Sequence, residues 1–139
     1  MKSQSPGSYA QTWIFIDPEE ESPVQYLHVS TRSQHGHTVV DLRGDLDIAS
    51  VDDLRGQLRS VRQTHGDHLI LDLTDLDFMD SQGLSVLIGC HKAVSAAGGS
   101  LALVAPRPIV KRTLEITGLN RRFAIFNTVA EASGQPAGA

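Results

Sequence analysis

Apolar positions recur along this chain with two periods, and the alternation of those periods predicts its elements. Tyr26 to Thr31 alternates apolar and polar residues; Ser33-Gln34-His35-Gly36 supplies turn chemistry, and His37 to Leu42 reads as strand again, which together predict a hairpin. After Gly44-Asp45-Leu46-Asp47, the residues Val51, Leu54, Leu58 and Val61 recur every three or four positions. That spacing puts them on one face of a helix, with Asp52, Arg55, Gln57, Arg59 and Arg62 outside it and Gly66 as the stop. His68 to Leu73 carries apolar residues on both faces, as a central strand does.

A loop over Thr74–Asp80 is expected to follow, then a second helix through Leu84, Leu87, Ile88, His91 and Val94, ended by Gly98-Gly99. Ser100 to Ala105 is a short strand. Pro106 and Pro108 bracket the start of a third helix, with Ile109, Val110 and Leu114 on one face, and Thr117-Gly118-Leu119 closes it. Phe123 to Phe126 reads as an edge strand and Thr128 to Ala132 as the start of a last short helix. The order β-β-α-β-α-β-α-β-α predicts an α/β fold. It is a mixed sheet of about five strands, parallel except for an antiparallel edge at the start, flanked by about four helices.

The ends differ in composition from this interior. Residues 1–25 read as a flexible extension, rich in Ser, Gln, Gly and Pro and then in acids, interrupted by Trp13-Ile14-Phe15-Ile16. The domain is expected over 26–132, with a disordered tail at 133–139. The Trp13 patch is too short for a signal-peptide core or a membrane span, so a cytoplasmic address and no membrane contact are expected.

Charge excludes more than it selects. Twelve Lys and Arg against sixteen Asp and Glu give −4 over 139 residues, which argues against a direct, sequence-independent DNA binder. The single cysteine, Cys90, can close no internal disulfide and build no multi-cysteine zinc site. His35, His37, His65 and His68 sit in expected turns without further ligands, and His91 falls on the apolar face of its helix. Lys111, Arg112, Arg121 and Arg122, with Arg107, make the last third locally basic, either as a solvated face or as a contact for an acidic partner.

Chemistry in such folds gathers where strands end and helices begin. Two junctions stand out: Gly44-Asp45-Leu46-Asp47-Ile48-Ala49-Ser50 and Phe78-Met79-Asp80-Ser81-Gln82-Gly83-Leu84. In the second, Asp80 or Ser81 can cap the helix through a hydrogen bond from a free amide. Gly83 is unexplained by a cap, because glycine in a first turn costs up to about 1 kcal/mol against alanine. Close approach of something to the backbone gives it a reason. The alternative role for Ser81 is to accept a phosphate, at a helix mouth whose amides and dipole can hold an anion.

Those junctions resemble the STAS-domain anti-sigma-factor antagonists. Phe78-Met79-Asp80-Ser81-Gln82-Gly83-Leu84 is similar to that family's phosphorylation loop, usually Asp-Ser-(Ser/Thr)-Gly-Leu. Gly44-Asp45-Leu46-Asp47 resembles its Gly-Glu-(Leu/Ile)-Asp, and Gly98-Gly99-Ser100-Leu101 its Gly-Gly turn. Pro108 to Leu119 is similar to its third helix and closing (Ser/Thr)-Gly-Leu, and the four motifs stand in register over about Leu27 to Ala132.

The resemblance implies a STAS-like sheet and no enzymatic activity or cofactor of the chain's own. It implies phosphorylation at Ser81, with Asp47, Asp80, Gln82 and Gly83 on the partner-binding surface. The implied partners are an anti-sigma factor with a histidine-kinase-like ATPase fold, acting as a serine kinase, and a PP2C-type phosphatase; ATP and Mg²⁺ belong to the kinase. Unphosphorylated, the domain would bind the anti-sigma factor and free its sigma factor. Gln82 stands where Ser or Thr is usual, and Asp45 where Glu is usual. Two other readings are a constitutive STAS scaffold or nucleotide-binding module, and a phospho-aspartate receiver-like domain or small Mg²⁺-dependent enzyme using Asp45, Asp47 and Asp80.

Overall fold

A computed structural model describes residues 27–134. The expected extension over 1–25 with its Trp13–Ile16 patch, Tyr26, and most of the tail lie outside the described residues. Among the described residues, five strands and four α-helices follow the expected order: β1 (His28–Gln34), β2 (His37–Leu46), α1 (Val51–His65), β3 (His68–Met79), α2 (Ser81–Ala96), β4 (Ser100–Val104), α3 (Pro108–Ile116), a 3₁₀ turn (Leu119–Arg121), β5 (Ala124–Phe126) and α4 (Val129–Ala132). The spatial order is β1-β2-β3-β4-β5, with β1 antiparallel to β2 and all other pairs parallel.

The sheet separates the core into two layers. On one face Val40, Leu42, Leu46, Leu71, Leu73 and Leu103 pack beneath α1, α2 and α3. On the other, Val39, Ile70, Ala102 and Val104 form a smaller cluster against Phe126 and α4. Adjacent residues of β2 and β3 thus point into different layers, and both strands are apolar on both sides as the His68–Leu73 run predicts. α1 buries its expected stripe of Val51, Leu54, Leu58 and Val61. Asp52 and Asp53 in its first turn and Arg62 and His65 in its last suit the helix dipole, and the Gly66 amide donates to the Arg62 carbonyl at 2.9 Å.

Three differences from the sequence reading have physical causes. β3 continues through the stretch expected as a loop, because two irregularities interrupt its alternation. Asp41 and Arg43 of β2 pair with Asp72 and Asp75, and Gly44 and Asp45 pair with Leu76 and Phe78, so β3 gains one residue at each step. The inward positions therefore run Leu71, Leu73, Leu76, Met79, a spacing that changes from two to three at each bulge. α2 buries a broader face than its predicted stripe, adding Val86 and Cys90, because it packs against α1 as well as the sheet. In α3, Val110 and Leu114 are buried but Ile109 is 52% exposed, since one residue along a helix turns the side chain about 100° away from the core.

The lower end of the sheet is tied by a close backbone approach. The Ser100 amide donates to the Asp67 carbonyl at 2.9 Å, and a Cβ at Gly99 would collide with that same carbonyl. This accounts for the second glycine of the Gly98-Gly99 pair. His91, half-buried, meets Phe123 edge to face with ring centroids 5.3 Å apart, in keeping with a packed side chain.

Candidate functional site

Both junctions singled out by the sequence lie at the same end of the sheet, side by side. Asp45 is the register partner of Phe78 and Leu46 of Met79, and the Asp80 amide donates to the Leu46 carbonyl at 3.1 Å. The end of β2 thereby holds the mouth of α2.

Asp80 is the cap of α2. Its Oδ1 accepts from the amides of Gln82 at 2.9 Å and Gly83 at 3.1 Å, and its carbonyl accepts from Leu84 at 3.1 Å. The cap question is settled in favour of Asp80, and Ser81 is left as the first helical residue, exposed to solvent. Among the described residues no hydrogen bond involves the Ser81 Oγ; its carbonyl accepts from the Ser85 hydroxyl at 3.2 Å. The expectation that free amides at this mouth could hold an anion is also revised, because the Asp80 carboxylate already occupies those of Gln82 and Gly83.

Gly83 is buried, and its requirement is internal. A Cβ there would lie 2.7 Å from Leu46 Cγ and 2.8 Å from Met79 Cγ, so α2 can sit this close to the ends of β2 and β3 only without a side chain. The close approach expected at Gly83 is made by the core, on the side away from solvent. Gln82, beside it, is exposed.

The other junction forms a compact turn around Ser50, a residue the sequence places in this junction without revealing its role. Its Oγ accepts from the Asp47 amide at 3.0 Å and donates to the Asp45 carbonyl at 3.0 Å. The Asp47 Oδ1 accepts from the Ala49 amide at 3.0 Å. This turn fixes Asp47 and leaves Ile48 73% exposed. Ser50, placed just ahead of Asp52 and Asp53, signals a helix start but does not reveal that its hydroxyl turns back into the loop.

The surface so assembled combines apolar and acidic groups. Four large apolar side chains of the described residues are notably exposed: Ile48, Phe78, Ile109 and Ile116. The first three follow the ends of β2, β3 and β4, or sit at them, so they share the end of the sheet that carries Ser81. Asp45, Asp47 and Asp77 lie among them. Partial burial, then the charges of Asp47 and Asp77, raise the Asp45 carboxyl above its ordinary value. Arg107, expected in a basic surface, is engaged within the fold. It donates to the Thr74 carbonyl at 2.7 Å and the Asp77 carboxylate at 2.6 Å, clamping the β4–α3 connection onto the distal half of β3. Lys111, Arg112, Arg121 and Arg122 remain exposed.

Asp45, Asp47 and Asp80 do not converge as a metal site. Among the described residues no three His, Cys, Asp or Glu side chains are grouped to hold an ion, and Asp47 and Asp80 use their carboxylates on local amides. Among those residues, too, no helix is long and apolar enough to cross a membrane.

Comparison with known proteins places the chain. The STAS domain family model matches residues 28–132. The anti-sigma F factor antagonist of Paenibacillus polymyxa is 32% identical over 107 residues, which are 76% of this chain and 92% of that protein. The anti-sigma-B factor antagonist of Bacillus subtilis is 33% identical over 93 residues, 67% of this chain and 84% of its relative. The crystal structure of an anti-sigma factor antagonist from Mycobacterium paratuberculosis superimposes with a TM-score of 0.69 at 24% identity, covering 76% of this chain and 90% of that one, and shows the same fold. With the mixed five-stranded sheet and its four helices, these matches make the chain a member of the STAS domain family.

Proposed function

We infer that this domain is an anti-sigma-factor antagonist whose docking surface is the Ser81 end of the sheet, and that a phosphate on Ser81 switches it off. The observation that carries the reading is the state of Ser81. Its hydroxyl is exposed and without a hydrogen-bond partner among the described residues, at an end of the sheet where Ile48, Phe78 and Ile109 offer apolar surface to a partner. The two curated relatives, named as anti-sigma factor antagonists, support the coarser part.

The switch follows from charge. A kinase transfers the terminal phosphoryl group of ATP to Ser81 Oγ; the hydroxyl proton is released and ADP leaves. The product carries about −1.5 to −2 charges. Asp80 takes the amides of Gln82 and Gly83, and Asp45, Asp47 and Asp77 repel the phosphate, so it projects outward into the space a partner must fill. Asp47, Asp80 and Gln82 border that space, and Gly83 supports it from below. The domain acts by binding. Its partner is an anti-sigma factor of the ATPase-fold kinase type, and a PP2C-type phosphatase restores the free hydroxyl.

The test is to incubate the protein with its cognate anti-sigma factor and ATP, locate the phosphate by mass spectrometry, and measure affinity before and after. Phosphate on Ser81 with a large loss of affinity is expected. Binding that is equal in both states would remove the switch and leave the antagonist reading intact; an absence of binding in either state would remove both.

A further inference from the structure

A groove between α1 and α2 sets a basic wall beside an apolar floor. Its volume is about 230 Å³, and Arg55, Arg59 and Arg62 of α1 form one wall. The floor is apolar, made by Leu58, Val86 and Cys90, and Gly89 of α2 opens the opposite wall. We propose that this groove binds an acidic peptide segment of a protein partner, taking one aliphatic side chain on its floor and the flanking carboxylates on its arginines.

Three observations support that occupant. First, Arg59 stands four residues from Arg55 and three from Arg62, and both of those neighbours have a carboxylate of the fold beside them while, among the described residues, Arg59 does not. Arg62 is held in place, donating to the Asp67 carboxylate at 2.6 Å. Arg55 pairs with Asp52, a carboxylate whose side chain is 92% exposed and readily replaced. Arg59 has no ion pair among the described residues. Guanidiniums are suited to carboxylates through paired parallel hydrogen bonds.

Second, Gly89 is not required by packing. A Cβ there would meet nothing within 4 Å, yet glycine inside a helix costs about 1 kcal/mol against alanine. With no side chain at Gly89, that wall of the groove is open. Third, the volume lies below the roughly 300–1,000 Å³ typical of small-molecule pockets. It suits one side chain of a chain lying across the groove and is small for a nucleotide.

The groove begins one turn beyond Ser81 and runs away from it along α2, and it needs no phosphate, so the proposal is separate from the switch. The probe is a fluorescein-labelled peptide of glutamates flanking a single leucine, titrated with the full chain and followed by anisotropy. Binding is expected to weaken about tenfold or more in the double variant Arg55→Glu/Arg59→Glu and to fall with added salt. Gly89→Leu fills the groove from the other wall without touching the arginines and should abolish binding while the domain keeps its fold. Lys111→Glu, a charge change on the exposed face of α3, should bind as wild type. The proposal is overturned by equal binding of an all-glutamate peptide, by full binding to Gly89→Leu, or by full binding to Arg55→Glu/Arg59→Glu. A labelled ATP analogue that competes for the groove would overturn it in favour of a nucleotide.

Discussion

The amide of Asp80 hydrogen-bonds to the carbonyl of Leu46 at 3.1 Å, so the first turn of α2 is suspended from the last residue of β2. Through this contact the two candidate junctions become one surface. It also separates two jobs that neighbouring residues could have shared: Asp80 holds the helix, and Ser81 is left free to react.

That division can be tested by stability. Asp80→Ala loses both amide hydrogen bonds at the cap and is expected to cost about 1–2 kcal/mol in urea unfolding. Ser81→Ala should stay within about 0.5 kcal/mol of wild type, bind the anti-sigma factor and take no phosphate. A large destabilisation by Ser81→Ala would assign it the structural role instead.

Gly83→Ala adds a methyl group at 2.7–2.8 Å from Leu46 and Met79. The gain in helix propensity is about 1 kcal/mol, but displacing two buried side chains from the ends of β2 and β3 should outweigh it, for a net loss of about 1–3 kcal/mol. A thermal melt at or above the wild-type midpoint would show that the helix mouth tolerates the shift.

Ile48→Asp separates binding from folding. Because the side chain is 73% exposed, the melting temperature should barely change, whereas affinity for the anti-sigma factor should fall about tenfold or more, as calorimetry would read it. Unchanged affinity would move the interface away from the β2–α1 turn.

Asp41 offers a pH test. It pairs in register with Asp72, and burial, with the Asp72 charge adding to it, raises its carboxyl against the lowering effect of Arg32. A carboxyl raised on folding penalises the native state at pH values above its folded pKa, and the penalty disappears below the unfolded value, about 3.9. Asp41→Asn should therefore raise the melting temperature at pH 7, with the gain shrinking through the carboxylate range and vanishing near about pH 3. A gain independent of pH would trace the effect to something other than ionisation.

Element order and the α1 core stripe were legible because one period dominated each stretch. Val51, Leu54, Leu58 and Val61 can be satisfied by no other local structure of that length. Thr74–Met79 was opaque because each bulge inserts a residue, and Leu73, Leu76 and Met79 then look aperiodic while all facing the same core. Ile109 was misplaced because Val110 and Leu114 define the α3 face, and a neighbour of either satisfies an apolar pattern equally well. At the site, Asp80, Ser81 and Gly83 stood out by residue type, but their separate tasks depend on contacts across the sheet. The exposure of Ile48 and Phe78 depends on the turn held by Ser50 and on how far β3 extends, neither of which local pattern encodes.

β3 runs well beyond β4, their pairing ending at Asp72, so the last stretch before α2 is a two-stranded arm with Arg107 bracing its open side. Such an arm can breathe while the central sheet stays shut. Amide exchange between Thr74 and Met79 should consequently be faster than in His68–Asp72 and should slow on complex formation, giving a local gauge of occupancy that global unfolding does not disturb.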